Sequence, residues 1–480
     1  MKILFVASEA VPFCKTGGLA DVVGTLAQKL GAAGHEVCVF LPKYRDVRAP
    51  RLDEGSALSL DVPFGGASVP VGLRLLQRRM VATYFVDHPP FFDREGLYAS
   101  QGRDHEDNAR RFALFSRAAL EGAKAVGFKP DIVHAHDWQT GLVCAHLKRT
   151  YAADPHFSGA GSVFTVHNMA YQGNFPPAAL GEAGFGAEDW TADGLEYYGR
   201  VSYLKAGLAY ADRITTVSPT YAREIQESRD RGFGFEGLLK RRSSVLSGIL
   251  NGLDTEVWDP ARDAALCRRY GPSDAPAGKA VCKEALQQEC GLDVRRDRPL
   301  IGVVSRLDYQ KGLDLALPAL EPLLARAQFV ALGTGDPALT ESLVALERRH
   351  PGAVHFHRSF DETFAHRVYA AGDLFLMPSR FEPCGLGQMI AMRYGAVPVA
   401  ARTGGLVDTV FEEAAAGRPA NGFLCEPNDQ ASLREALGRA VGAYRGPRWD
   451  ALVRAAMGGD FSWDRSVESY LRVYRQAARS

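Results

Sequence analysis

Short apolar runs punctuate the first half of the chain, and each is too brief for a helix and about right for a buried strand. They predict strands at Lys2–Ser8, Val37–Leu41, Ala82–Val86, Asp131–His134, Ser162–Val166, Arg213–Val217 and Val245–Leu250. Helical periodicity lies between several of them, as over Asn108–Val126 and Val201–Tyr210. Apolar strands alternating with helices mean a mostly parallel sheet covered on both faces. The pattern weakens over Asp259–Arg298, where proline- and glycine-rich loops flank one helix near Lys279–Glu289. A crossing between domains is expected just before or within that zone. A second series follows at Leu300–Ser305, Gln328–Leu332, Val354–Phe356, Leu374–Met377, Val397–Ala400 and Gly422–Cys425. Val467, Tyr470, Leu471 and Tyr474 then mark an amphipathic terminal helix. The expected class is α/β, with two doubly wound Rossmann-like domains, and ligands in such folds bind beyond the carboxyl ends of the strands.

Composition narrows the partners. At 480 residues the chain exceeds one ordinary core. Lys+Arg 56 against Asp+Glu 56 gives no net charge, which argues against a general nucleic-acid or membrane-surface binder. The eight cysteines are scattered with no C-x-x-C pair, as in a reducing compartment. The apolar start is too short for a signal peptide and is interrupted by Glu9 and Pro12, and no run is long enough to span a bilayer. These features point to a cytoplasmic protein.

Several polar stretches lie at or behind strand ends. Lys15-Thr-Gly-Gly-Leu-Ala-Asp21 opens a helix whose Val22, Val23, Leu26 and Leu30 share a face. Free backbone N–H groups there would favour an anion, and Lys15 adds a charge; the alternative is a structural turn. The stretch is echoed by Thr403-Gly-Gly-Leu-Val-Asp408, as two similar halves facing one cleft would require. Arg306 and Lys311 in Ser305-Arg-Leu-Asp-Tyr-Gln-Lys-Gly312 suit phosphate oxygens, or else form surface salt bridges. Glu382, followed by proline and paired with Gly385 and Gly387, suits gripping hydroxyls, or else caps a helix. His167 and Asn168 end another strand, and His134 and His136 would share a strand face, but no third and fourth metal ligand is evident. No G-x-G-x-x-G follows the first strand, Gly333-Thr-Gly335 lacks a third glycine, and no G-x-x-x-x-G-K-[ST] occurs.

Taken in order, Lys15–Asp21, Val166-His-Asn168, Tyr171-Gln-Gly173, Thr216-Val-Ser-Pro219, Asn251-Gly-Leu-Asp254, Ser305-Arg-Leu307 with Gln310-Lys-Gly312, Arg380–Leu386 and Thr403–Leu406 resemble the bacterial glycogen synthases and plant starch synthases. The resemblance runs to Phe461-Ser-Trp463. It implies a GT-B glycosyltransferase with an acceptor-side domain over 1–250, a nucleotide-sugar domain over 251–458, and a terminal segment 459–480 packing back on the first. The implied reaction moves glucose from ADP-glucose to the 4-hydroxyl at the non-reducing end of an α-1,4-glucan, with retention. The implied enzyme needs no metal and no cofactor, because Arg306 and Lys311 take the charge of the leaving diphosphate. His167, Arg306, Lys311 and Glu382 would be catalytic, with His167 at the sugar near the reacting carbon. Lys15, Gly17, Gly18, Tyr98, Phe360, Cys384, Gly385, Leu386 and Thr403 would line the donor, supported by Asp21, Asp137, Asn168 and Asn251. Gly387 departs from the family's usual threonine, and Phe360 from a common tyrosine. Another retaining GT-B transferase using UDP-glucose, and a non-catalytic glucan- or nucleotide-binding protein, remain the alternatives; acceptor-dependent ADP release separates them.

Overall fold

The computed structural model describes residues 1–47, 58–78, 80–415 and 417–478. The chain divides into two compact units, Met1–Gly252 with Trp463–Ser480, and Leu253–Ser462.

In the first unit, nine strands among the described residues form one sheet. Across it the order is Leu246–Gly248, Arg213–Thr216, Gly161–Val166, Ile132–His136, Lys2–Val6, Glu36–Pro42 and Val81–Asp87, all parallel, then the antiparallel strands Ala67–Arg78 and Leu58–Phe64. Lys2–Val6 is central, and its Ile3, Leu4, Phe5 and Val6 are fully buried. The chain leaves this strand toward one side and later returns on the other, so a crevice opens at its carboxyl end. The parallel strands occupy the predicted places within one or two residues at most ends, because burial on both faces makes them continuously apolar. The edge hairpin Leu58–Phe64/Ala67–Arg78 is absent from the sequence reading. Its signal is the two-residue loop Gly65-Gly66, both at positive φ (60° and 78°), between alternating runs.

The terminal helix Trp463–Ala477 completes this unit. It buries Trp463, Val467, Tyr470, Tyr474 and Ala477. Its Tyr474 hydroxyl lies 2.8 Å from His134 Nδ1, and Ser466 Oγ donates to the Leu250 carbonyl at 2.5 Å.

The second unit holds a six-stranded, wholly parallel sheet in the order Val354–His357, Gln328–Leu332, Leu300–Val304, Leu374–Met377, Val397–Ala401 and Phe423–Cys425. Here Leu300–Val304 and Leu374–Met377 flank the switch point, so the loops beginning at Ser305 and Pro378 emerge side by side. Among the described residues no helix is long and apolar enough to cross a membrane.

Candidate active site

Within the first unit, Ser8 and Glu9 follow the central strand and are buried. Glu9 organises the glycine loop. Its carboxylate accepts from the Thr16 backbone N–H, from Thr16 Oγ1 at 2.7 Å, from the Gly17 N–H at 3.4 Å and from the Tyr98 hydroxyl at 2.6 Å. The backbone donors expected to be free at Thr16 and Gly17 are therefore already engaged by an internal anion. Tyr98 faces inward to Glu9 and Ser8, at 2.7 Å from Ser8 Oγ, rather than presenting its hydroxyl outward. Lys15 is half-exposed and pairs with Asp21 Oδ1 at 2.8 Å. The helix Gly18–Ala32 starts here, and Gly17 has open space where a Cβ would stand.

Beside this loop's sheet edge runs a row of imidazoles. His134 and His136 alternate onto one face of their strand, with ring centroids 4.1 Å apart and both side chains buried. His134 is spent on structure, bonded to Tyr474 and to Thr165 Oγ1 at 2.6 Å. His136 Nδ1 lies 3.1 Å from His167 Nε2, so one ring donates and the other accepts. Burial holds His134 and His136 well below the usual imidazole range and His167 at about 3. All three are neutral at pH 7. Asp137 sits at φ +56°, an uncommon conformation for a residue with a side chain, and its Oδ1 accepts the His167 backbone N–H at 2.7 Å. Burial raises its carboxyl to about 7, against the lowering effect of that backbone bond. Asn168 Oδ1 accepts from the Ala170 N–H at 3.0 Å. Asn251 is buried, and its Oδ1 has no hydrogen-bond partner among the described residues.

In the second unit, Lys311 Nζ meets Glu382 Oε2 at 2.6 Å, with only 18% and 7% of the two side chains exposed. Ser379 Oγ donates to the same oxygen at 2.9 Å. Arg380 locks the two loops together. Its guanidinium grips Asp314 at 2.8 and 2.7 Å, donates to the Tyr309 carbonyl at 2.8 Å and stacks 3.9 Å over the Tyr309 ring. Arg306 is exposed and 3.3 Å from Asp308. Thr403-Gly404-Gly405 packs under the Glu382 turn. The Gly405 N–H donates to the Glu382 carbonyl at 3.1 Å, and a Cβ on Gly404 would stand 1.9 Å from that carbonyl oxygen. Cys384 and Gly385 are held by buried Gln388, whose Nε2 donates to their carbonyls at 3.1 and 2.9 Å, with Leu386 next in line at the helix start. A Cβ at Gly387 would lie 3.1 Å from the Phe375 ring, a tight contact against the face where the family's usual threonine would stand. Phe360 is 86% exposed just before the helix Glu362–Ala371. Among the described residues no cluster of three His, Cys, Asp or Glu side chains is spaced to hold a metal ion.

Residues 2–241 match the starch synthase catalytic domain family, and residues 298–442 match glycosyl transferases group 1. The chain is 45% identical to the glycogen synthase of Elusimicrobium minutum, covering 99% of both chains. It is 47% identical to that of Anaeromyxobacter dehalogenans strain 2CP-C over the full length of both. The chain belongs to the glycogen and starch synthase family. The solved catalytic domain of starch synthase IV from Arabidopsis thaliana, bound to ADP and acarbose, superimposes with a TM-score of 0.91 at 37% identity, covering 99% of each chain. A sucrose-phosphate synthase from Thermosynechococcus elongatus shares the fold with a TM-score of 0.63 at 20% identity. The chain is thus a GT-B glycosyltransferase of the glycogen and starch synthase family.

Among the positions singled out from sequence, the structure groups Lys15, Gly17, Gly18, Asp21 and Tyr98 around the Glu9 loop. It groups Asp137, His167 and Asn168 at two neighbouring strand ends, and Lys311, Glu382, Cys384–Leu386 and Thr403 around one turn. Glu9 and Arg380 carry no role in the sequence reading and His136 only that of a possible metal ligand, yet each holds one of these groups in place. The available signal for Glu9 is a lone carboxylate shortly after the apolar run Ile3–Ala7.

Proposed function

We infer that the protein is a retaining glucosyltransferase that moves glucose from ADP-glucose to the non-reducing 4-hydroxyl of an α-1,4-glucan, extending glycogen in the cytoplasm. The full-length likeness to glycogen synthases and to an ADP-bound starch synthase carries this reading. The residue chemistry supports it. Lys311 and Arg306 supply the positive charge that a departing diphosphate needs, and Lys311 is already fixed by Glu382. Glu382 turns a carboxylate toward sugar hydroxyls, on a loop that Arg380 and the Gly404-Gly405 pair keep from moving. His167, neutral at pH 7, offers a hydrogen bond to the sugar near its reacting carbon and does not act as a general acid. Lys15, exchanging Asp21 for a phosphate oxygen, adds a third cation, with Gly17 and Gly18 leaving room for the ligand. Asp137, Asn168 and Asn251 give polar support. The exposed Phe360 ring stacks on adenine, and Cys384, Gly385, Leu386 and Thr403 line the donor. In this reading 1–250 serve the acceptor, 251–458 hold the nucleotide-sugar, and 459–480 brace the first domain.

A donor comparison tests the reading: nucleoside diphosphate release from ADP-glucose and from UDP-glucose, with and without glycogen. Glycogen-dependent release favouring ADP-glucose is expected. Preference for UDP-glucose, or tight glucan binding with no release, would contradict it.

A further inference from the structure

The Leu253–Ser462 unit contains a second chemical cluster that none of these roles uses. Of the eight cysteines, Cys267 is the exposed one, and its Sγ lies 3.9 Å from Sγ of Cys282 on the helix Ala275–Glu289. The two thiols line a cavity of about 260 Å³ with Ala265, Leu266, Ala285 and Leu286. The Arg367–Glu289 pair, 2.8 Å apart, lies at the same cavity.

The loop that carries Cys267 is anchored on both sides. Before it, Asp263 Oδ2 lies 2.6 Å from His366 Nδ1 and accepts from the Tyr394 hydroxyl at 2.6 Å. After it, the Tyr270 hydroxyl donates to the Tyr394 carbonyl at 2.9 Å, and buried Lys279, on the same helix as Cys282, donates to that carbonyl at 2.9 Å. The loop and the helix therefore share anchors on Tyr394, which keep the two sulfurs adjacent. The sulfurs need to close from 3.9 Å to about 2.05 Å to bond.

We propose that Cys267 and Cys282 are a reversible redox-modification site, a dithiol that exchanges with low-molecular-weight disulfides to form an intramolecular disulfide. The Cys267 thiolate attacks one sulfur of the small disulfide, whose S–S bond breaks, and one small thiol leaves. The Cys282 thiolate then attacks the Cys267 sulfur, the mixed S–S bond breaks, and the second small thiol leaves. The protein gives up two hydrogens and two electrons, which the small disulfide gains. Exposure makes Cys267 the entry point, and Cys282, its Sγ 3.9 Å away on an anchored helix, is placed for the second, resolving step.

The test incubates the full-length reduced protein with oxidised glutathione, then quenches with acid, alkylates and maps peptides without reduction. The expected product is a Cys267–Cys282 disulfide that dithiothreitol reverses and that raises Tm by about 5 °C, as closing a short loop should. In the Cys282→Ser variant the expected product is a glutathione adduct stalled on Cys267. A wild-type adduct that persists on Cys267 without cross-linking, a disulfide to any other cysteine, or no reaction at Cys267 would each overturn the proposal.

Discussion

The two echoing segments, Thr16-Gly17-Gly18 and Thr403-Gly404-Gly405, have nearly the same sequence and opposite environments. The first lies open, with exposed Thr16 and Gly18 and nothing within 4 Å of a Cβ added at Gly17. A carboxylate beneath it, Glu9, collects its hydrogen bonds. The second is buried. Its glycines exist because the Glu382 and Cys384 carbonyls come too close for any side chain, 1.9 Å from a Cβ at Gly404 and 2.1 Å at Gly405. Identical letters thus serve an open loop gathered on Glu9 in one unit and a brace under the Glu382 turn in the other. A glycine pair signals close approach, but not of what.

Breaking the braced side should have the larger effect. Lys311→Ala is expected to lower kcat/KM by about 10³, since it removes a cation from the developing diphosphate, and Glu382→Gln by about 10². Glycogen-dependent ADP release reads both, with circular dichroism checking that the protein folds. Gly405→Ala is expected to destabilise the protein by about 1–3 kcal/mol in urea unfolding, because its methyl meets the Cys384 backbone. Gly17→Ala should leave unfolding unchanged and act, if the loop approaches the donor, on KM alone. A Gly17→Ala variant as unstable as Gly405→Ala would dissolve the contrast.

Glu9→Gln sharpens the comparison from the other side. It keeps the shape but loses charge-assisted bonds, so a loss of about 1–2 kcal/mol and a several-fold higher KM for ADP-glucose are expected. The smallest effect concerns pH. The unfolded chain protonates its histidines below about 6.5, whereas burial keeps His134, His136 and His167 neutral when folded. Their contribution to stability therefore falls as pH drops below 6.5 and goes on falling toward 3. Asp137, raised to about 7, favours folding as pH falls, but it is one group against three. Tm should decline between pH 6.5 and 5, and less steeply in His134→Gln.

The parallel strands and the placement of motifs at their ends were legible because burial on both faces leaves an unmistakable apolar run. What was not legible depends on distant partners. Glu9 is held over its loop by Tyr98, 89 positions away, and Arg380 acquires its meaning from Asp314, 66 positions away. No local window holds either pair. His136 looked like a candidate ligand beside His134, and only the fold shows one ring tied to the terminal helix and the other to His167. The Gly65-Gly66 hairpin carries readable turn chemistry, but its half-polar strands lack the continuous apolar run that marks the parallel ones.

The central physical claim is that fixed cations of the protein take the charge of the leaving diphosphate. The most direct measurement is the initial rate of ADP release from ADP-glucose with glycogen, in excess EDTA and in added Mg²⁺. The account predicts equal rates in both, lost in Lys311→Ala; activity that requires the added metal, with Lys311→Ala indistinguishable from the parent protein, would contradict it.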